Sequence, residues 1–107
     1  MAAMDMNKEQ FQQMIHGETP VLVDFWAPWC GYCRRLGPAY EKIAQEYSDR
    51  LVVAKVNIDQ EGQLAEAEGV EVIPALILYR NGQAVDSVVN PGSKAAIDQF
   101  IQAALEK

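Results

Sequence analysis

The chain is poor in the residues that hold metals and in the charge that binds nucleic acid. Its 107 residues include two cysteines, Cys30 and Cys33, and one histidine, His16. Zinc takes four ligands, so a zinc site drawn from these three falls short. Nine Lys and Arg stand against fifteen Asp and Glu, a net charge of −6. That balance repels phosphate and excludes nucleic acid as the expected partner. It also disfavours an anionic membrane surface. No apolar run is long enough to span a bilayer. The opening Met1-Ala2-Ala3-Met4-Asp5-Met6 lacks a basic start followed by an apolar stretch, so no secretory leader is expected. The expected location is cytoplasmic and reducing, where a close cysteine pair is catalytic or metal-binding more often than structural. No Gly-rich dinucleotide fingerprint occurs, so no cofactor is expected and electrons must come from another protein. Internal repeats, linkers and low-complexity segments are also missing.

What is present suffices for one globular domain over residues 1–107, expected to be a monomer. Half the residues are hydrophobic, and a chain of this size buries roughly 65% of its unfolded surface. Met4 and Met6 flank Asp5 in an alternation that suits a short edge strand. Asn7 and Gln10 form a capping-box pattern ahead of a helix with Phe11, Met14 and Ile15 on one face and Gly17 at its stop. His16 reads as a helix-end residue. Residues 21–25 are apolar except at Asp24, as in a strand covered on both sides. Leu36, Tyr40, Ile43, Ala44 and Tyr47 then form a helical stripe, with Pro38 inside it expected to bend the helix. Residues 51–58 read as a strand interrupted by Lys55, 60–68 as a short helix, and 75–79 as a strand. Asn81-Gly82 signals a hairpin returning over 84–89. Ser93 caps a last helix with Ile97, Phe100, Ile101, Ala104 and Leu105 inward. Strands alternating with helices predict parallel pairing, and the late hairpin makes the sheet mixed: an α/β fold with helices on both faces of a central sheet.

The chemistry concentrates in Trp26-Ala27-Pro28-Trp29-Cys30-Gly31-Tyr32-Cys33. Cysteines three apart at a helix start lie on one turn, near enough to bond. Cys30 should meet the unpaired N–H groups and positive dipole end, which favour the thiolate. The loop before it should leave it exposed. Cys33, one turn deeper, can attack a mixed disulfide at Cys30 and release a reduced substrate. Asp24 interrupts an apolar strand, so its acid should titrate high and can take the proton of Cys33. The alternative is a buried carboxylate held only by hydrogen bonds. Lys55 either opposes Asp24 or reaches water along its stem. Trp26 and Trp29 either cover the site or are ordinary core and surface aromatics.

At these residues the chain resembles the thioredoxin family. The matching positions are residues 23–31 (Val-Asp-Phe-Trp-Ala-Pro-Trp-Cys-Gly), Cys33, Pro38, Lys55-Val56-Asn57-Ile58-Asp59, Ile73-Pro74 and Asn81-Gly82, in the family's order. The resemblance implies a thioredoxin fold, reduction of disulfides in protein substrates, and an electron-donating reductase like thioredoxin reductase. It implies a cis bond at Pro74 bordering a peptide groove, where the Ile73 backbone pairs with an extended substrate. Trp29 and Asn90 then belong to the groove, and Gly31 and Tyr32 support the cysteines.

The sequence departs from the family pattern at several points. Tyr32 replaces the usual proline, restoring an N–H near Cys30 that should favour its thiolate and make the disulfide more oxidising than thioredoxin's, at about −270 mV. Ala75 stands for a usual threonine and Asn90 for a usual rim glycine. Glu71 and Val72 before the groove, and Arg34 and Arg35 after Cys33, should alter partner choice. Three other functions are consistent with parts of the pattern: a more oxidising oxidase or isomerase, a metal or iron–sulfur module on the same cysteines, and a scaffold in which the cysteines are idle.

Overall fold

The computed structural model describes residues 2–107; Met1 of the opening segment lies outside them. The chain runs β1 (Met4–Asp5), α1 (Lys8–Ile15), β2 (Val21–Trp26), α2 (Gly31–Glu46), β3 (Val52–Asn57), α3 (Gly62–Ala67), β4 (Ala75–Arg80), β5 (Gln83–Val89) and α4 (Lys94–Leu105). The strands form one sheet in the order β1-β3-β2-β4-β5. β3 pairs parallel with both β1 and β2, while β4 pairs antiparallel with β2. This corrects the expectation that a strand reached through a helix runs parallel. β4 enters beside β2, not β3, so the reversal precedes the hairpin. The hairpin itself forms as the sequence predicts, with Asn81 and Gly82 both at positive φ (55° and 82°). That pair of left-handed residues matches the twist of the flanking strands. The ring of His16 packs where a Cβ at residue 82 would stand, which gives Gly82 a second reason.

Alternation along the strands divides the core into two layers. Val21, Val23, Phe25, Ala54, Val56, Ala75, Ile77 and Tyr79 face α1 and α3, meeting Phe11, Ile15, Leu64 and Ala65. Leu22, Val53, Leu76 and Leu78 face α2 and α4, meeting Leu36, Tyr40, Ile43, Ile97 and Ile101. The sheet is therefore covered on both sides. Tyr40 fastens α2 to the sheet: its hydroxyl lies 2.6 Å from the Ala54 carbonyl and 3.2 Å from that of Leu22. On the other face Phe11 meets Tyr79 edge-on at 5.0 Å.

The caps read from the sequence are present. Asn7 and Gln10 satisfy one another's amides, and Ser93 accepts from Ala96. α2 runs through Pro38 without ending. The alternation around Asp5 is only half realised, since Met6 is buried whereas Met4 is 41% exposed at the sheet edge. Phe100 and Leu105 lie at the margin of the core, with Ile97, Ile101 and Ala104 inside it.

Candidate active site

The cysteines stand where β2 gives way to α2. Cys30 has extended backbone angles and is the N-cap of α2, Gly31 is the first helical residue, and Cys33 closes the first turn. A cap needs a side-chain acceptor for an unpaired amide. Here the acceptor is sulfur: the Cys33 N–H donates to Cys30 Sγ at 3.2 Å. Both thiols are free. The amide restored by Tyr32 lies in the same turn, but the hydrogen bond to Cys30 Sγ comes from Cys33. The added donor expected at Tyr32 is thus not a direct contact.

Cys30 is 7% exposed and Cys33 5%. The expected exposure of Cys30 is corrected by its neighbours: Trp26, Ile58 and Ile73 pack around the pair and Ala27. The depth difference between the sulfurs is small, and their chemistry differs for other reasons. Burial first, and the hydrogen bond with Cys30 second, push the Cys33 thiol up to about 12, with the nearby Asp24 charge adding to the rise and the Ala27 backbone opposing it. A thiol held this firmly needs a base before it can attack.

That base faces it. Asp24 belongs by alternation to the α2 side of the sheet, 4% exposed in an otherwise apolar layer. Burial raises its carboxyl to about 7, with the charge of Lys55 pulling the other way. A cavity of about 230 Å³ lies beneath α2, bordered by Asp24, Trp26, Cys33, Tyr40 and Lys55. Two polar atoms of its walls, Asp24 Oδ1 and Trp26 Nε1, have no protein partner among the described residues. A water molecule occupies about 30 Å³ in the liquid, so the space accommodates a bridge from carboxylate to thiol.

Lys55 sits across from Asp24 in register. Its ammonium lies 5.0 Å from the centre of the Trp26 ring and reaches outward to Glu41 at 3.9 Å and Asp5 at 4.0 Å. Both sequence alternatives are therefore partly realised: the lysine influences Asp24 and still reaches the rim.

Near Cys30, the Ile73–Pro74 bond is cis. The Ile73 carbonyl is 4.0 Å from Cys30 Sγ. Asn90 has φ 47° and donates its N–H to the Pro74 carbonyl at 2.8 Å. It takes the left-handed conformation that favours glycine and that asparagine tolerates better than most residues. Trp29 stands apart from Trp26: it is 65% exposed, with its indole N–H on Asp59 Oδ1 at 3.0 Å. Tyr32 is also exposed and carries the Arg35 guanidinium 4.7 Å above its ring.

Sequence reasoning brought Asp24, Cys33, Trp26 and Lys55 to one place and missed four participants. Ile58 packs on the cysteines, Asp59 holds Trp29, and Glu41 and Asp5 draw Lys55 outward. Ile58 and Asp59 were within reach of sequence reasoning, since both lie in the stretch that matches the family. Glu41 is a helix-surface glutamate without a local signal.

Comparison with known proteins agrees with this geometry. The family model described as Thioredoxin matches residues 2–103. Thioredoxin 1 of Nostoc sp. is 43% identical over 91 residues, covering 85% of each chain. Thioredoxin of Alicyclobacillus acidocaldarius is 39% identical over 97 residues, covering 91% of this chain and 92% of its own. Among solved structures, a mutant thioredoxin from Halobacterium salinarum superposes with a TM-score of 0.86 at 30% identity, over 96% of this chain and 90% of the other.

Proposed function

The chain belongs to the thioredoxin family, and from that premise we propose that Cys30 and Cys33 act in sequence, with Asp24 as the base for the second step. The activity is thiol–disulfide oxidoreduction, the reduction of protein disulfides. Cys30 attacks one sulfur of the target disulfide as a thiolate. A bond forms between Cys30 and that sulfur, and the second target sulfur leaves as a thiolate that takes a proton. Cys33 then attacks Cys30 Sγ, its proton passing to Asp24 directly or through water in the shared cavity. The bond from Cys30 to the first target sulfur breaks, that sulfur departs as a thiolate and takes a proton, two electrons have moved to the target, and Cys30–Cys33 is a disulfide. A partner reductase returns the electrons; the proposal is that it resembles thioredoxin reductase.

The observation that carries this reading is the asymmetry of the pair. One sulfur accepts an amide hydrogen bond at the helix cap, while the other is a high-titrating thiol beside a buried carboxyl. Lys55, Trp26, Gly31 and Tyr32 support this pair. Trp29, Ile73, Pro74 and Asn90 form the proposed groove for an extended target segment. The proposed working unit is one domain and one chain, because both sulfurs and the base come from the same chain. A reducing, cytoplasmic setting suits it. No helix among the described residues is long and apolar enough to cross a membrane.

Cys33→Ser tests the order of events. The variant should accumulate mixed disulfides between Cys30 and target proteins, because release needs the second thiol. Recovery of no such adduct from thiol-trapped lysate would count against the mechanism.

A further inference from the structure

Beside the cysteine turn, on the Tyr32 side, lies a cleft of about 230 Å³ between α2 and the loop that leads into α4. Tyr32, Arg35 and Leu36 form one wall, and Asn90 and Ser93 belong to the other. We infer that this cleft is a subsite for an acidic side chain of the target protein, close in sequence to the cysteine under attack. The inference rests on the reading above and adds a substrate preference to it.

Charge is the first observation. The chain holds fifteen acids against nine Lys and Arg, yet none of the residues bordering this cleft is acidic. Its one charged wall residue is Arg35. That guanidinium makes no salt bridge among the described residues, in common with Lys8, Arg34, Lys42 and Arg80 and unlike Arg50, Lys55, Lys94 and Lys107. It is laid over the Tyr32 ring at 4.7 Å. Stacking fixes the plane of a guanidinium and leaves its N–H edge free for a carboxylate.

Position is the second. Tyr32 lies between the two cysteines in sequence. Asn90, on the opposite wall, is bonded to the Pro74 carbonyl at 2.8 Å, and the adjacent Ile73 carbonyl is 4.0 Å from Cys30 Sγ. The cleft therefore adjoins the segment that borders the reacting sulfur. An extended target advances about 3.3 Å per residue, so a side chain one or two residues from the target cysteine can enter it. The side-chain amide of Asn90 and the hydroxyl of Ser93 add neutral donors on the far wall.

The test uses three disulfide-linked peptides that differ only in carrying Glu, Gln or Lys beside the target cysteine. Each rate of reduction is divided by the rate with a small neutral dithiol, which removes intrinsic differences between peptides. The chain should prefer the Glu peptide over the Lys peptide about fivefold in kcat/KM at low salt, the preference shrinking as salt rises. Arg35→Gln should erase the preference, Arg35→Glu should invert it, and Arg35→Lys should keep part of it. Arg34→Gln should keep it, since Arg34 is turned to the Pro28 carbonyl at 2.9 Å. Equal normalised rates in the unaltered chain, or a preference that survives Arg35→Glu, overturn the subsite while leaving the oxidoreductase reading intact. Failure to reduce any of the three peptides overturns that reading and the subsite with it.

Discussion

Asp24 and Lys55 are direct partners across the β2–β3 pairing, yet no ion pair joins them. The ammonium is drawn to Glu41 and Asp5 at the rim and lies over the Trp26 ring. The carboxyl stays inside, desolvated, with one oxygen unpartnered by protein. A full ion pair would hold Asp24 ionised and make it a poor proton acceptor. Separation leaves burial as the dominant influence, and the carboxyl titrates at about 7. The arrangement suits proton transfer more than it suits stability.

Stability should therefore fall as pH rises, over a defined window. The folded-state value for Asp24 is about 7 and the ordinary value is 3.8. Below 3.8 the group is protonated in both states and costs nothing. Between the two values the unfolded chain releases the proton and the folded chain keeps it, so stability declines with pH. Above about 7 both forms are ionised and the loss is complete. Asp24→Asn should remove this dependence and stabilise the protein by roughly 2–4 kcal/mol at pH 8. Urea unfolding at pH 4 and pH 8 measures it, and a variant less stable than the parent at pH 8 would contradict the burial argument. The same substitution should slow release of the mixed disulfide and flatten the rise of that step with pH near 7.

Lys55→Met isolates the opposing influence. The lysine charge lowers the Asp24 value, so its removal should raise it further. The pH at which mixed-disulfide release reaches half its maximum should move upward in Lys55→Met relative to the parent. A stopped-flow series across pH 6 to 9, following Trp26 and Trp29 fluorescence, reads this directly. A limb that stays in place would mean that Lys55 acts on Asp24 weakly through intervening solvent.

Much of this site was legible from residue order alone. An aspartate in an apolar strand is costly to bury in its charged form, so the raised carboxyl of Asp24 was foreseeable. The helix cap at Cys30 followed from strand, loop and cysteine spacing. The pairing of β4 with β2 did not, because nothing local in residues 62–75 tells which strand edge β4 will join. The burial of Cys30 was also hidden, since it depends on Trp26, Ile58 and Ile73 arriving from three separate segments. Side-chain destinations such as Lys55 toward Glu41 depend on the distance between a strand and a helix surface, which periodicity does not encode.

Asn90 offers a test of backbone conformation beside the proposed groove. Its φ of 47° lies in the left-handed region, and its N–H is committed to Pro74. Asn90→Gly should leave stability within about 1 kcal/mol of the parent, because glycine enters this region freely but loses more entropy on folding. Asn90→Val should cost about 1–3 kcal/mol, because a branched Cβ crowds the carbonyl there. Denaturant midpoints with unchanged m-values would measure both. Equal stability of the valine and glycine variants would contradict the strain argument.

Tyr32 sets the last prediction. In place of the family's proline it restores an amide to the first turn of α2, where the caps and dipole of the helix act on Cys30. The Cys30 sulfur is hydrogen-bonded to Cys33 N–H, so an influence of the Tyr32 amide has to come through the field of the turn. A positive field at a helix start favours an anion over a neutral group, and a more stable reduced form means a more oxidising disulfide. The potential should lie above the thioredoxin value of about −270 mV. Tyr32→Pro should lower it by about 10–30 mV, which is up to about tenfold in the equilibrium with glutathione. Equilibration of both proteins against defined glutathione ratios, read by the fraction of free thiol, decides it. A parent potential at or below thioredoxin's, or an upward shift in Tyr32→Pro, would show that the amide does not govern the poise of the pair.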